Sequence, residues 1–133
     1  MGDLLNQMER DELILAHESG FVRSFLIRER RDRYLSQLQL PKKRGTLLDR
    51  LNHRFHRDLD DRHICDSPTL PPLDTLCYII ASEDKLDGNF VPASDVPDLL
   101  ASAAFGIVVS YIPGKLAAYK DEAPSNTIWL QRP

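Results

Sequence analysis

Pro68, Pro71 and Pro72 fall within five residues of one another and divide the chain into two halves of different chemistry. Proline fixes φ and removes an amide donor, so neither a helix nor a central strand can run through residues 66–75. Before this segment the sequence is rich in arginine, with apolar residues at helical spacing. After it come runs of Val, Ile and Tyr. The expected organisation is therefore a helical N-terminal subdomain over residues 1–65, a proline-rich connector over 66–75 and a sheet-bearing subdomain over 76–133, within one compact domain. A chain of 133 residues can bury a core of useful size without disulfides or a structural metal.

In the second half, residues 76–81 (LCYIIA) form a continuous apolar run, the pattern of a buried strand. The loop that follows ends in Asp87-Gly88, a turn signal. Ser94 or Asp95 is placed to cap a helix that tolerates Pro97 in its first turn and closes at Gly106. Residues 107–112 (IVVSYI) read as a second strand. Pro113 and Gly114 fit the centre of a type II turn into a strand over 116–120, and residues 121–126 turn into a last strand over 127–131. The predicted order is strand, helix, strand, strand, strand. The first two strands are expected to be parallel through a right-handed crossover, and the last three to form an antiparallel meander. The fold class is α+β: a small mixed four-stranded sheet with helices packed on one face.

In the first half, residues 3–19 contain good helix formers and no proline. Gly20 either ends this helix at a left-handed cap or lies inside a longer one. The break is preferred, giving a helical hairpin whose second arm spans residues 21–38. That arm has two apolar patches facing different directions, Phe21, Val22, Phe25 and Leu26 in one, Ile27, Tyr34 and Leu38 in the other. Two such patches can touch two things, so a partner subunit is one candidate and a homodimer through this arm is expected. Pro41 to Gly45 is a breaker. Thr46 then reads as the cap of a third helix, boxed by Asp49, with Leu48, Leu51, Phe55 and Leu59 as its core face.

Residues 49–66 (DRLNHRFHRDLDDRHICD) gather three of the four histidines and one of the two cysteines. If the third helix runs through Asp61, Asp49, His53, His56 and Asp60 line one polar stripe, with His63 and Cys65 just beyond it. Two imidazoles one turn apart can share a divalent cation, which makes His53, His56, His63 and Cys65 the candidate metal ligands. A histidine held by a carboxylate is also a candidate general base, which makes His53, His56 and Asp60 the candidate catalytic group of a hydrolase. Against this, the spacing matches no zinc pattern, and arginines stand at i,i+4 from several aspartates, as on a solvated helix face. An acidic magnesium site from Asp58, Asp60 and Asp61 needs partners such as Glu83, Asp84 or Asp87 from the other half. No phosphate loop, dinucleotide fingerprint or nucleophile elbow is present, and no cofactor is expected.

Charge is unevenly distributed. Residues 21–57 carry eleven Lys/Arg against Glu29, Asp32 and Asp49, in a chain of net charge −3. The basic residues Arg28, Arg30, Arg31, Arg33, Lys42, Lys43, Arg44, Arg50, Arg54 and Arg57 are the candidate binding surface. They can meet nucleic acid by releasing counterions or pair with the acidic second half. Aromatic residues are not interleaved with them, which weighs against stacking on bases. Cys65 and Cys77 lie in no motif spacing and read as reduced thiols. A nucleophilic Cys77 backed by His63 is set aside in favour of a buried, inert thiol. Tyr111, Tyr119 and Trp129 lie on predicted strands, where they pack or line a pocket.

The N-terminus is acidic and interrupted by charges, Asn6 breaks the myristoylation pattern after Gly2, and no apolar run reaches membrane length. A soluble cytoplasmic protein is expected. The function expected first is a non-catalytic protein–protein interaction or regulatory module. Nucleic-acid binding through the basic helices of residues 23–57 is the second expectation, and a metal-dependent or histidine-based hydrolase the third.

Overall fold

A computed structural model describes residues 7–40, 43–48, 51, 54–55, 64–65, 68–83, 85–103, 106–120 and 127–132. The chain is α+β. Among the described residues four helices, α1 (Gln7–Phe25), α2 (Arg31–Gln39), α3 (Arg44–Leu48) and α4 (Val96–Ser102), pack with one antiparallel sheet. The sheet is built from β1 (Ile64–Cys65), β2 (Leu76–Ala81), β3 (Phe90–Pro92), β4 (Ile107–Ile112), β5 (Leu116–Lys120) and β6 (Ile128–Gln131), in the order β1-β6-β5-β4-β2-β3. Five strands form the body, and β1 adds a two-residue ladder against β6.

The sheet is not mixed. β2 and β4 are antiparallel, with Tyr78 opposite Ser110 and Ala81 opposite Ile107. The reversal comes from β3, which sequence patterning misses: the chain turns at Gly88 (φ 79°) and returns along β2 with Tyr78 opposite Phe90. β3 lies on the sheet edge, where Pro92 costs no ladder hydrogen bond. The helical crossover therefore starts from β3 and lands on β4, with β2 between two strands that both oppose it. The turn at Pro113-Gly114 has the expected form. Gly114 takes φ 72° and the Lys115 amide donates to the Ile112 carbonyl at 2.9 Å.

Helices cover both faces of the sheet, not one. On one face Phe21, Val22 and Phe25 of α1, Tyr34 and Leu38 of α2 and Leu47 and Leu48 of α3 pack on Tyr78, Ile80, Val108 and Tyr119. On the other, Val96 and Leu100 of α4 pack on Cys77, Ile79, Val109 and Ala118. Burial from both sides is why β2 and β4 read as unbroken apolar runs rather than alternating ones.

The N-terminal hairpin broken at Gly20 is replaced by one continuous helix through Gly20. Its inward stripe is Ile14, His17, Glu18, Phe21, Val22 and Phe25, the i, i+3, i+4, i+7, i+8, i+11 positions of one helix face. The break falls later. Leu26 forms an antiparallel bridge with Phe55, the Ile27 amide donates to the Arg54 carbonyl at 2.8 Å, and a short 3-10 turn at Arg28–Arg30 leads into α2. This break re-aims the chain, so the two apolar patches of residues 21–38 enter the same core. The premise for a partner subunit on this arm is thereby removed.

The third helix is also shorter than expected. Thr46 lies inside α3 rather than capping it. Leu51 is buried beyond the helix end, and Phe55 is in the bridge to Leu26, so no single helix runs from Thr46 to Asp61.

Candidate functional site

The polar stripe of residues 49–66 depends on a helix that Arg54 and Phe55 interrupt. His53, His56, Asp60, His63, Arg50, Arg57 and Lys42 lie outside the described residues, as do Asp49, Asp84 and residues 121–126. Cys65 is described only through its backbone pairing with Trp129. Among the described residues no group of three or more His, Cys, Asp or Glu side chains converges on a point.

Arg28, Arg30, Arg33 and Lys43 are exposed, beside exposed Glu29 and Asp32, whereas Arg31 and Arg54 are half-buried. The Arg54 guanidinium stacks over the Tyr34 ring at 5.6 Å. Arg44 departs from the others: it is turned inward, with 8 % of its surface exposed.

Arg44 is the hub of a buried network that joins elements distant in sequence. Its Nε donates to Asp87 Oδ2 at 2.7 Å, and its Nη2 donates to Asp87 Oδ1 at 3.0 Å and to the Tyr78 hydroxyl at 2.9 Å. Its Nη1 donates to Glu18 Oε2 and to the Leu38 carbonyl, the latter at 2.8 Å. The Tyr78 hydroxyl in turn donates to Glu18 Oε2 at 2.6 Å, and Asp87 Oδ1 also accepts from the Ala81 amide at 3.0 Å. A guanidinium has five N–H donors, and all five are used here. Burial by itself lowers the basicity of Arg44, but hydrogen bonds to Asp87 and Glu18 outweigh it and raise it above the ordinary value. Burial, then the bond to Glu18, pushes the Tyr78 phenol up. The cluster is one cation balanced by two carboxylates and fixes α1, α2, α3, β2 and the β2–β3 hairpin against one another. It leaves no donor of Arg44 for a phosphate.

His17, the neighbour of Glu18 on the same stripe, is 3 % exposed. Its Nδ1 shares a 2.7 Å hydrogen bond with Ser110 Oγ, and its ring stacks on Tyr78 at 5.8 Å and meets the edge of Phe90 at 5.8 Å. Burial lowers it to about 4, so the imidazole is neutral at physiological pH. Neither His17 nor Glu18 is reached by reading apolar spacing alone. The available signal was the stripe itself, which continues through them once Gly20 is allowed inside the helix.

On the other face of the sheet lies an open cleft of about 160 Å³. Its floor is Tyr111 of β4 and Trp129 of β6, whose rings sit 5.7 Å apart at 48°. Ala93 and Leu100 form the helix-side wall, and Leu70 and Leu73 of the connector form the rim. The rim is held in place by backbone bonds. The Ser94 amide donates to the Leu73 carbonyl at 3.0 Å, and the Ala93 amide donates to the Thr75 carbonyl at 2.8 Å. Leu70 and Leu73 are nonetheless 49 % and 68 % exposed. Of the three aromatic residues singled out in the sequence, Tyr111 and Trp129 line this cleft, while Tyr119 lies in the core of the opposite face. Cys77 is fully buried beneath the same face. Its thiol points to the Thr75 carbonyl at 3.7 Å and is pushed up to about 11 by burial, which makes it a poor nucleophile.

No helix among the described residues is long and apolar enough to cross a membrane. No protein-family model matches the chain, and neither a curated protein nor a solved structure shows significant similarity to it.

Proposed function

We propose that this protein is a non-catalytic interaction module that works by protein–protein contact, with the cleft over Tyr111 and Trp129 as its working surface. The observation that carries this reading is the exposure of Leu70 and Leu73 beside an open apolar cleft. Exposed apolar side chains grouped at the mouth of a cleft, rather than scattered singly, support a surface that a partner covers. Among the described residues, the clustered polar groups His17, Glu18, Arg44, Tyr78 and Asp87 bond to one another or to Ser110. Affinity purification of the full chain beside a Leu70→Ser/Leu73→Ser double variant tests the reading, with bound protein identified by mass spectrometry. One stoichiometric partner held by the wild type and lost by the folded variant is expected. Equal recovery by both removes the proposal.

A second reading, nucleic-acid binding, rests on the exposure of Arg28, Arg30, Arg33 and Lys43. It is weaker for the interleaved Glu29 and Asp32 and for the withdrawal of Arg44. A filter-binding titration against salt decides it, since phosphate contacts give an affinity that falls steeply as salt rises. The hydrolase expectation on His53, His56 and Asp60 falls outside the described residues, so nothing in the described geometry favours it.

A further inference from the structure

We infer that the cleft is an anchor pocket for one uncharged aromatic side chain of the partner protein, an inference that rests on the interaction reading above. Three properties of the cleft select this occupant.

The first is size. At about 160 Å³ the cleft matches an apolar cavity known to hold a benzene ring, which is roughly 150 Å³, and falls well below the volumes that take nucleotides or other large cofactors. It holds one ring and little more.

The second is charge. None of the lining side chains is charged at neutral pH: burial, and then the proximity of Cys77, raise the Tyr111 phenol above its ordinary value, and the other polar groups, the Ser94 hydroxyl and the Trp129 indole N–H, are neutral. A lysine, arginine or carboxylate entering this site loses hydration and meets no counter-charge. The inclined ring pair of Tyr111 and Trp129 offers an incoming ring the edge-to-face and offset contacts that aromatic groups prefer.

The third is the rim. Leu70 and Leu73 line the mouth of the cleft yet keep much of their surface exposed, and a free single-ring molecule covers only the part of each that faces the cavity. A ring carried by a protein covers them with the flanking chain, in the arrangement of a buried aromatic anchor inside an apolar collar. The backbone bonds from Ala93 and Ser94 to Thr75 and Leu73 hold the Leu73 side of this collar in place before binding, which lowers the ordering cost left to the partner.

The test uses the full chain and blocked amino acids as probes, read by NMR at the indole N–H of Trp129, which is unambiguous because the chain has one tryptophan. N-acetyl-L-phenylalaninamide is expected to move this signal saturably. N-acetyl-L-lysinamide and N-acetyl-L-alaninamide are expected to bind at least about tenfold more weakly. Filling the cleft from its helix-side wall with Ala93→Leu is expected to abolish the response. Leu73→Ser, at an exposed site where the fold is not at risk, is expected to weaken it about threefold or more. No saturable movement with the phenylalanine probe up to its solubility limit overturns the inference, as do equal responses to all three probes. Toluene binding without any response to the phenylalanine probe also overturns it, because the site then takes free rings and not side chains. If the Leu70→Ser/Leu73→Ser variant still loses its partner while the phenylalanine probe fails, only the anchor inference falls and the interaction reading stands.

Discussion

Gly20, in the middle of α1, and Gly114, in the turn between β4 and β5, lie back to back. A Cβ built on Gly20 falls 2.7 Å from the Gly114 nitrogen and 3.0 Å from the Pro113 carbonyl carbon. One built on Gly114 falls 3.0 Å from Ser24 Oγ, on a residue that already takes φ 72°. A helix crosses a sheet at such close range only if side chains are missing at the crossing. This contact sets the height of α1 over β4 and brings His17 within reach of Ser110.

Gly20→Ala is therefore expected to destabilise the protein, although alanine is the better helix former by about 1 kcal/mol. The new methyl meets backbone atoms, which cannot rotate away, and overpacking of this kind costs about 1–3 kcal/mol. Gly45→Ala is the control. It lies in α3 with nothing within 4 Å of its added Cβ, so it is expected to be neutral or stabilising by about 0.5–1 kcal/mol. Urea denaturation of both variants distinguishes the cases. A Gly20→Ala protein at least as stable as the wild type contradicts the close packing described.

The Arg44 network makes an asymmetric prediction. Removing the cation with Arg44→Met leaves a buried Glu18 and a half-buried Asp87 without their counter-charge, and breaking such a pair costs up to about 3–5 kcal/mol. Arg44→Lys is expected to be nearly as harmful, because an ammonium has three donors where five acceptors are arranged around a planar fork. Tyr78→Phe removes one hydroxyl and leaves the ion pair intact, so a smaller loss of about 1–2 kcal/mol is expected. The order Met, Lys, Phe in midpoint of denaturation is the measurement. Arg44→Lys with wild-type stability would contradict the five-donor account.

How far the sequence foretold this arrangement depends on whether the cause was local. β2 and β4 were legible because burial on both faces makes each a continuous apolar run, and the Pro113-Gly114 turn because its residues carry their own backbone preference. β3 was not, since three residues ending in proline do not resemble a strand until their edge position is known. The continuity of α1 was hidden because the space around Gly20 is set by a turn 94 residues further along the chain. In sequence Arg44 is indistinguishable from its basic neighbours, because nothing near it reveals that Asp87, 43 residues away, will meet it. Tyr111 and Trp129 stand out as strand aromatics, but in sequence the connector that rims the cleft over them reads only as a break in structure.

The buried imidazole of His17 makes stability depend on acidity in a definite direction. Its ordinary value is 6.5, and burial lowers it to about 4 in the folded chain. Between these values the unfolded chain accepts a proton that the folded chain refuses. This contribution is therefore fully present above about pH 6.5 and is lost as the pH falls towards 4, below which it changes no further. The loss approaches about 1.4 kcal/mol per pH unit within the window and totals roughly 3 kcal/mol. The groups facing the ring are the Ser110 hydroxyl and the Tyr78 and Phe90 rings, with Glu18 next to His17 in the chain. The contribution is read as a difference between two proteins, which cancels what both have in common. Urea denaturation of the wild type and of His17→Asn, at intervals from pH 7 to about pH 4.5, is expected to show the wild type losing stability faster. The gap between them should narrow by about 2–3 kcal/mol over that range. Parallel pH profiles would mean that His17 accepts its proton without leaving the core, contrary to its burial between Tyr78, Phe90 and Ser110.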